Sequence, residues 1–277
     1  MTILNGQEIA QEILEDLAKE IKSRDLNLSL AVVSVGQNLV SEKYQRQKQR
    51  AGAEIGVGFK RFGFPEKINE TELKDEIRKI AANKAVSGLV IQLPLPKQLS
   101  TNDILNLIPA EKDPDCLTQV NLGRFCQNNA LIRPPVVGAI KKIFNKYKIE
   151  IKGRTAVVVG RGRLVGLPVS LWLLQEKATV VVVNELTKNM ADLIKKADIV
   201  IVGAGKPNLI RGSMIKRGAV VIDCGTSVEN NRVVGDVETQ SVIKKAGFLA
   251  PCPGGVGPLT VACLLENLLI LNKIGRS

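Results

Sequence analysis

One stretch constrains this chain of 277 residues more than any other: Gly153-Arg-Thr-Ala-Val-Val-Val-Gly160-Arg161-Gly162-Arg163-Leu-Val-Gly166-Leu-Pro168. A run of β-branched residues stops at glycines, and Pro168 stands where a helix would open. The spacing Gly160-x-Gly162-x-x-x-Gly166 is one residue longer than the dinucleotide fingerprint, but the physics is shared. Glycines let a backbone approach a pyrophosphate, and a helix N-terminus meets it with unpaired N–H groups. A tight strand-to-helix turn of no function has the same look. The residues C-terminal to the loop favour the nucleotide reading: a strand at 179–183, a helix at 190–196, a strand at 198–202, a helix at Met214 and a strand at 219–223. Strands alternating with helices about every 20 residues predict a parallel, doubly wound α/β domain.

The first half carries a similar rhythm. Asn5-Gly-Gln-Glu8 resembles a capping box, and Ile9, Ile13, Leu14, Leu17 and Ile21 share one helical face. An apolar run at 28–35 predicts a strand, ended by Gly36-Gln37-Asn38 at the approach to a helix that contains Tyr44 and closes near Gly56. A strand at 57–62, a capping box at Asn69–Glu72 and a helix with Leu73, Ile77, Ile80 and Ala81 on its stripe come next. A third strand, 88–92, runs into Leu93-Pro94-Leu95-Pro96, which forbids further ladder bonding. Short helices are expected at 100–108 and 137–146. The chain ends with Ala250-Pro-Cys-Pro-Gly254-Gly255-Val-Gly257-Pro258-Leu-Thr260, a loop suited to close backbone approach, and a helix carrying Val261, Leu264, Leu265, Leu268 and Leu269.

There is no histidine, so acid–base work at neutral pH falls to Lys, Tyr, Cys or a carboxylate. Tyr44 and Lys48 lie one turn apart on one helical face, either a reactive pair or an ordinary half-buried aromatic beside a solvated lysine. Gln92 ends a strand, at the rim where open α/β sheets bind ligands. Asp113 and Asp115 occupy a polar turn, where carboxylates mostly stabilise the turn itself. In the second half Glu185 follows the second strand, where an acid suits the ribose hydroxyls of NAD, whereas Arg161 and Arg163 suit a 2′-phosphate. The five cysteines, Cys116, Cys126, Cys224, Cys252 and Cys263, form no CxxC pair, so neither a disulfide framework nor a metal site is expected. No signal peptide and no apolar run of transmembrane length is evident, and a cytoplasmic location is expected. The net charge of +12 is spread along the chain, and aromatics at 3% supply no stacking platform for nucleic acid.

Taken together the motifs resemble the bifunctional methylenetetrahydrofolate dehydrogenase/methenyltetrahydrofolate cyclohydrolase (FolD) family. The resemblance rests on Ser41-x-x-Tyr44-x-x-x-Lys48, Gln92-Leu-Pro-Leu-Pro96, Lys112-Asp113-x-Asp115, Asn121-x-Gly123-Arg124, Gly160-Arg161, Val165-Gly166-x-Pro168, Gly205-Lys206-Pro207, Asp223-x-Gly225, Val234-Gly235-Asp236-Val237 and Pro253-Gly-Gly-Val-Gly-Pro258. It implies a folate domain over 1–118 on which a helix from 258 to 277 packs back, a Rossmann-like domain over 119–257, and a deep cleft between them. It further implies that Lys48 is the acid/base of hydrolysis, Tyr44 stacks on the pterin, Gln92 orients Lys48 and Asp115 grips the amino-pyrimidine edge. Gly160, Arg161, Gly162, Gly166, Glu185 and Thr226 would hold NADP, the family's usual cofactor, with NAD left open by Glu185. Gly254, Gly255 and Pro258 would face the substrate. Tetrahydrofolate derivatives as substrates, no nucleic-acid or membrane partner, and a homodimer complete the expectation.

The chain departs from the family pattern in the cofactor half and at the junction. Pro135-Val136-Val137 replaces Cys-Thr-Pro, Gly162 replaces a serine, Asn184-Glu185-Leu186 replaces His-Ser-Arg/Lys, and Thr226-Ser227 replaces a more apolar pair. One activity alone, dehydrogenase or cyclohydrolase, is therefore an alternative. A short-chain dehydrogenase also uses a Tyr-x-x-x-Lys pair, but its glycine loop precedes the pair, and here the order is reversed. A non-catalytic nucleotide- or nucleic-acid-binding protein is the remaining reading.

Overall fold

The computed structural model describes residues 1–37, 39–229 and 232–274. Asn38, expected at the approach to the Tyr44 helix, and 275–277 of the expected final helix lie outside them. In chain order the elements are Thr2–Ile3 (β1), Gly6–Ser23 (α1), Ser29–Val35 (β2), Leu39–Glu54 (α2), Gly58–Phe64 (β3), Glu70–Ala82 (α3), Gly88–Ile91 (β4), Thr101–Leu105 (α4), Gln119–Cys126 (α5) and Pro135–Lys146 (α6). Thr155–Val159 (β5), Gly166–Gln175 (α7), Thr179–Val183 (β6), Met190–Lys195 (α8), Ile199–Val202 (β7), Val220–Asp223 (β8), Ser227–Glu229 (β9), Arg232–Val234 (β10), Thr239–Val242 (α9), Phe248–Ala250 (β11) and Val256–Ile274 (α10) complete the chain.

Two compact units result, Gln11–Pro135 with the chain from Val261 onward, and Met1–Ala10 with Val136–Thr260. In the first, β2 pairs in parallel with β3 on one side and β4 on the other. β2 is an apolar run because it is the central strand, buried on both faces. The stripe of α3 (Leu73, Ile77, Ile80, Ala81) packs with Ala31, Val33, Leu89 and Ile91 of the sheet. Asn69 caps α3, its Oδ1 accepting from Thr71 N–H at 2.8 Å. Asn267 of α10 donates to the carbonyls of Pro114 (2.8 Å) and Arg133 (2.7 Å), which ties the later part of α10 into this unit.

The second unit holds a six-stranded parallel sheet in the order β1-β11-β8-β7-β5-β6. Its centre is Val157, Val159, Val200, Val202, Val221 and Leu249, against Ile194 and Val242 of the covering helices. The expected parallel α/β alternation is present, with differences at the margins. Strands of two or three residues (β1, β9, β10, β11) and α5 carry too little periodicity to be read from sequence. Only a 3₁₀ turn, Gly212–Met214, stands where a helix at Met214 was expected.

The compact units are drawn along other lines than the functional halves expected at 118/119 and 257/258. Pairing of β1 with β11 draws residues 1–10 into the larger sheet's unit. Asn121 on α5, by donating to Ala110 O (2.8 Å) and the Asp113 carboxylate (3.1 Å), keeps 119–135 with the smaller one. α10 begins at Val256, earlier than expected, because Pro258 in its first turn has no N–H that the helix would use. Its 256–273 segment has the length and composition of a membrane span, contrary to expectation, but 61% of that segment is buried inside the protein, as in a core helix.

Gly6, the first residue of α1, has no room for a side chain: a Cβ there would run into the Gly255 carbonyl and lie 3.1 Å from Leu259. Helix propensity alone would make alanine the better residue by about 1 kcal/mol. The close approach reverses the sign, and Gly6→Ala is expected to destabilise the protein by about 1–3 kcal/mol in urea denaturation.

Candidate active and cofactor sites

Ser41, Gln45 and Lys48 recur at helical spacing along the inner face of α2, and their relative exposures of 8%, 2% and 8% mark that face as buried. Tyr44, beside them, is half-buried. The Lys48 ammonium donates to Gln92 Oε1 at 3.2 Å across 44 residues of sequence. Gln92 is held by the sheet: its N–H continues the ladder beyond β4 to Val33 O (2.8 Å), and its Nε2 donates to Leu93 O at 3.2 Å. Ser41 Oγ donates to the same Leu93 carbonyl at 3.3 Å. The strand end and the helix face are thus tied at two polar points, Lys48 on Gln92 and Ser41 on Leu93.

Burial pushes the Lys48 amine below its ordinary 10.5, partly opposed by the negative charge of Asp115. Burial also pushes the Asp115 carboxyl upward, Lys48 opposing and Asp113 adding. The two carboxylates of this turn differ in task. Asp113 is fully buried and accepts from Leu117 N (3.2 Å), Thr118 N (3.0 Å), Thr118 Oγ1 (2.8 Å) and Asn121 Nδ2 (3.1 Å). Those four donors leave it a structural role, the organisation of the turn into α5. Asp115 is the member of the pair that acts on Lys48.

In the other unit, β5 lies between β6 and β7, and the loops after these three strands enclose a cavity of about 660 Å³. It is lined by Gly160, Arg161, Gly162 and Arg163 after β5, by Asn184, Glu185 and Thr187 after β6, and by Gly203, Ala204 and Lys206 after β7. Gly160 has φ +105° and a Cβ there would meet the Gly203 carbonyl. A Cβ on Gly166 would meet the Gly160 carbonyl, so Gly166 packs behind the loop and does not line the cavity. Gly162, by contrast, faces open space, with nothing within 4 Å of a Cβ. A glycine cradle with Arg161, Arg163 and Lys206 around it fits a nucleotide pyrophosphate. Lys206 escaped the sequence reading as a lining residue, although its Gly-Lys-Pro motif was visible.

Thr226, past β8, does not line this cavity and bonds instead with the Cys252 thiol. Gly254 has φ +101°, and its carbonyl accepts from Gly6 N–H at 3.1 Å. Gly255 is packed against the same glycine, and Pro258 sits in the first turn of α10. Two buried carboxylates brace the cavity loop. Asp236 Oδ2 accepts from Ala204 N (2.7 Å) and Gly205 N (2.8 Å). Asp223 accepts from Gly225 N (3.0 Å), Asp236 N (3.1 Å) and Val237 N (3.0 Å).

A buried lysine held by a strand-end amide in one α/β unit, and a glycine-cradled cavity at the strand ends of a doubly wound sheet in the other, define a class: nucleotide-binding α/β proteins with a lysine-centred polar site. Sequence comparison narrows it. The tetrahydrofolate dehydrogenase/cyclohydrolase catalytic domain matches residues 4–115, and the NAD(P)-binding domain of the same family matches residues 134–275. The chain belongs to the tetrahydrofolate dehydrogenase/cyclohydrolase family. The bifunctional protein FolD of Thermodesulfovibrio yellowstonii is 42% identical over 278 residues, covering 99% of this chain and 97% of that one. The crystal structure of the Campylobacter jejuni enzyme FolD superposes with a TM-score of 0.93 at 34% identity, covering 99% of each chain. That of Trypanosoma brucei FolD, complexed with NADP cofactor and inhibitor, gives 0.94 at 35% identity, covering 99% of this chain and 98% of that one.

Burial pushes the Asp223 carboxyl up to about 7 from 3.8, against three N–H donors, and Asp236 adds to the rise. A carboxyl raised on folding contributes stability that is fully present below its unfolded pKa and lost as pH rises through the folded one. The stability advantage of the wild type over Asp223→Asn is therefore expected to be greatest at and below pH 3.8, to shrink as pH rises through about 7 and to level off above it. Urea midpoints of both proteins across that range measure it.

Proposed function

We propose that this protein interconverts folate one-carbon units: it oxidises 5,10-methylenetetrahydrofolate to the 5,10-methenyl form with NADP and hydrolyses that product to 10-formyltetrahydrofolate. The observation that carries the reading is the buried Lys48 amine, lowered by its surroundings and fixed on Gln92, in the segment that matches the family's catalytic domain. When bound, the nicotinamide cofactor accepts the hydride. The dehydrogenase step needs no strong base in the protein, because the nitrogen lone pairs of the substrate expel the hydride and leave a delocalised cation. Positioning carries most of that step.

Hydrolysis needs more from the chain. Lys48, as neutral amine, takes a proton from the water that adds to the methenyl carbon, and as ammonium returns it to the nitrogen that departs when the ring opens. Gln92 keeps Nζ in place for both transfers, Asp115 binds the amino-pyrimidine edge of the pterin, and Tyr44 stacks on its ring. Gly254, Gly255 and Pro258 form the substrate loop. Gly160, Arg161, Gly162 and Glu185 hold the cofactor, with Gly166 and Thr226 in support. The family resemblance makes a cytoplasmic homodimer the working form, with residues 1–118 and the helix from 258 serving folate and 119–257 serving the cofactor.

NADP is the assignment because Arg161, Arg163 and Lys206 line the cavity against one carboxylate, Glu185. A 2′-phosphate is favoured by such a cationic rim, while Glu185 suits ribose hydroxyls. Turnover with NADP is expected to exceed that with NAD, and turnover with NAD to be measurable. Steady-state kinetics with each cofactor, following methenyl absorbance, check this, and Glu185→Gln should widen the ratio in favour of NADP. Lys48→Met is expected to lower methenyl hydrolysis at least about a hundredfold while the protein stays folded. Near-normal hydrolysis by that variant would sink the assignment.

A further inference from the structure

Of the three buried polar side chains on the inner face of α2, two are engaged at the end of β4: Ser41 with Leu93 O, and Lys48 with Gln92 Oε1. Gln45 lies between them, 2% exposed, and its Oε1 has no hydrogen-bond partner among the described residues. A buried amide carbonyl without a donor is destabilising, and leucine, of similar size, would remove the penalty. Such an atom is worth explaining by the donor it serves.

Lys48 lies three residues further along the same helix. Residues three apart on a helix have Cβ atoms about 5–6 Å apart, so the Gln45 amide and the Lys48 ammonium can meet. An ammonium carries three N–H donors, and Gln92 takes one. We propose that Gln45 is a positioning residue for Lys48: its side-chain carbonyl is the second amide acceptor for the ammonium form, beside Gln92. A neutral amine has one donor fewer and no net charge to disperse, so an acceptor on this face favours the ammonium and limits how far burial can strip Lys48 of its proton. The charged group acting on Lys48 is Asp115, with Asp113 acting on Asp115 in turn. On α2 itself Glu42 is engaged by Arg46 at 3.7 Å. The catalytic meaning of the pairing rests on the hydrolysis proposed for Lys48, whereas the pairing itself rests on the helix.

The test reads Lys48 directly. Competitive acylation with acetic anhydride across pH, with the Lys48 peptide quantified by mass spectrometry, gives its titration in the wild type, Gln45→Leu and Gln45→Glu. The pH profile of methenyl hydrolysis is recorded on the same proteins. Gln45→Leu is expected to move the Lys48 titration down by about one pH unit and Gln45→Glu to move it up by at least as much. The hydrolysis limb should shift in the same directions. Should Gln45→Leu fail to fold, Gln45→Met carries the same expectation. Folded variants that titrate Lys48 at the wild-type pH overturn the proposal. Titrations that move as expected in a protein that hydrolyses no methenyl substrate uphold the pairing and overturn the functional reading.

Discussion

Two strands that run the same way cannot be joined by a tight turn; the chain must cross back, and the crossover is usually a helix. Both sheets that carry the two units are parallel throughout, and nearly every other feature of the fold depends on that requirement. Helices cover the sheets, and β2, β4, β7 and β8 are buried almost completely. The loops that leave the strands gather at one rim of each sheet, because every strand ends there. Gln92 stands at that rim in the three-stranded sheet, and Gly160, Glu185 and Gly203 stand at it in the six-stranded one.

In a chain without histidine, an amine can work near neutrality only if its charge is made costly. The position of Lys48 on the buried face of α2 does this by desolvation. Its direct partner is an amide, Gln92, which fixes Nζ without the full opposing charge that would restore an ordinary pKa. Asp115 acts on it as a charge, and no hydrogen bond joins the two among the described residues. A carboxylate in the place of Gln92 would hold the proton too firmly for it to be exchanged.

In the second unit, rigidity at the cavity comes from glycine packing and buried acids. Gly160, Gly166 and Gly203 bring backbone against backbone or against Val165 where side chains would intervene. Asp236 satisfies two N–H groups of the loop after β7, and Asp223 ties Asp236 to the end of β8. The cradle is therefore backed by hydrogen bonds from the sheet, and Gly162, which faces open space in its lining, stands apart from that support.

Much of this was legible in residues that neighbour one another in sequence. The stripe of α3, the caps at Asn5 and Asn69, the prolines after β4 and the glycine cradle are local patterns, since helix period, capping and backbone freedom are set within a few residues. By itself the sequence determined the alternation of strands and helices, the parallel α/β class, the candidacy of Tyr44, Lys48, Gln92 and Asp115, and the family resemblance. Tertiary structure alone decided the rest: that β1 completes a sheet with a strand almost 250 residues away, that Asp113 is structural while Asp115 acts on Lys48, that Lys206 joins the cavity, and that Gln45 is buried with a carbonyl unpaired among the described residues. The reason is physical. Burial and hydrogen-bond satisfaction depend on groups remote in the chain, and it is these that determine the charge and the partner of Lys48.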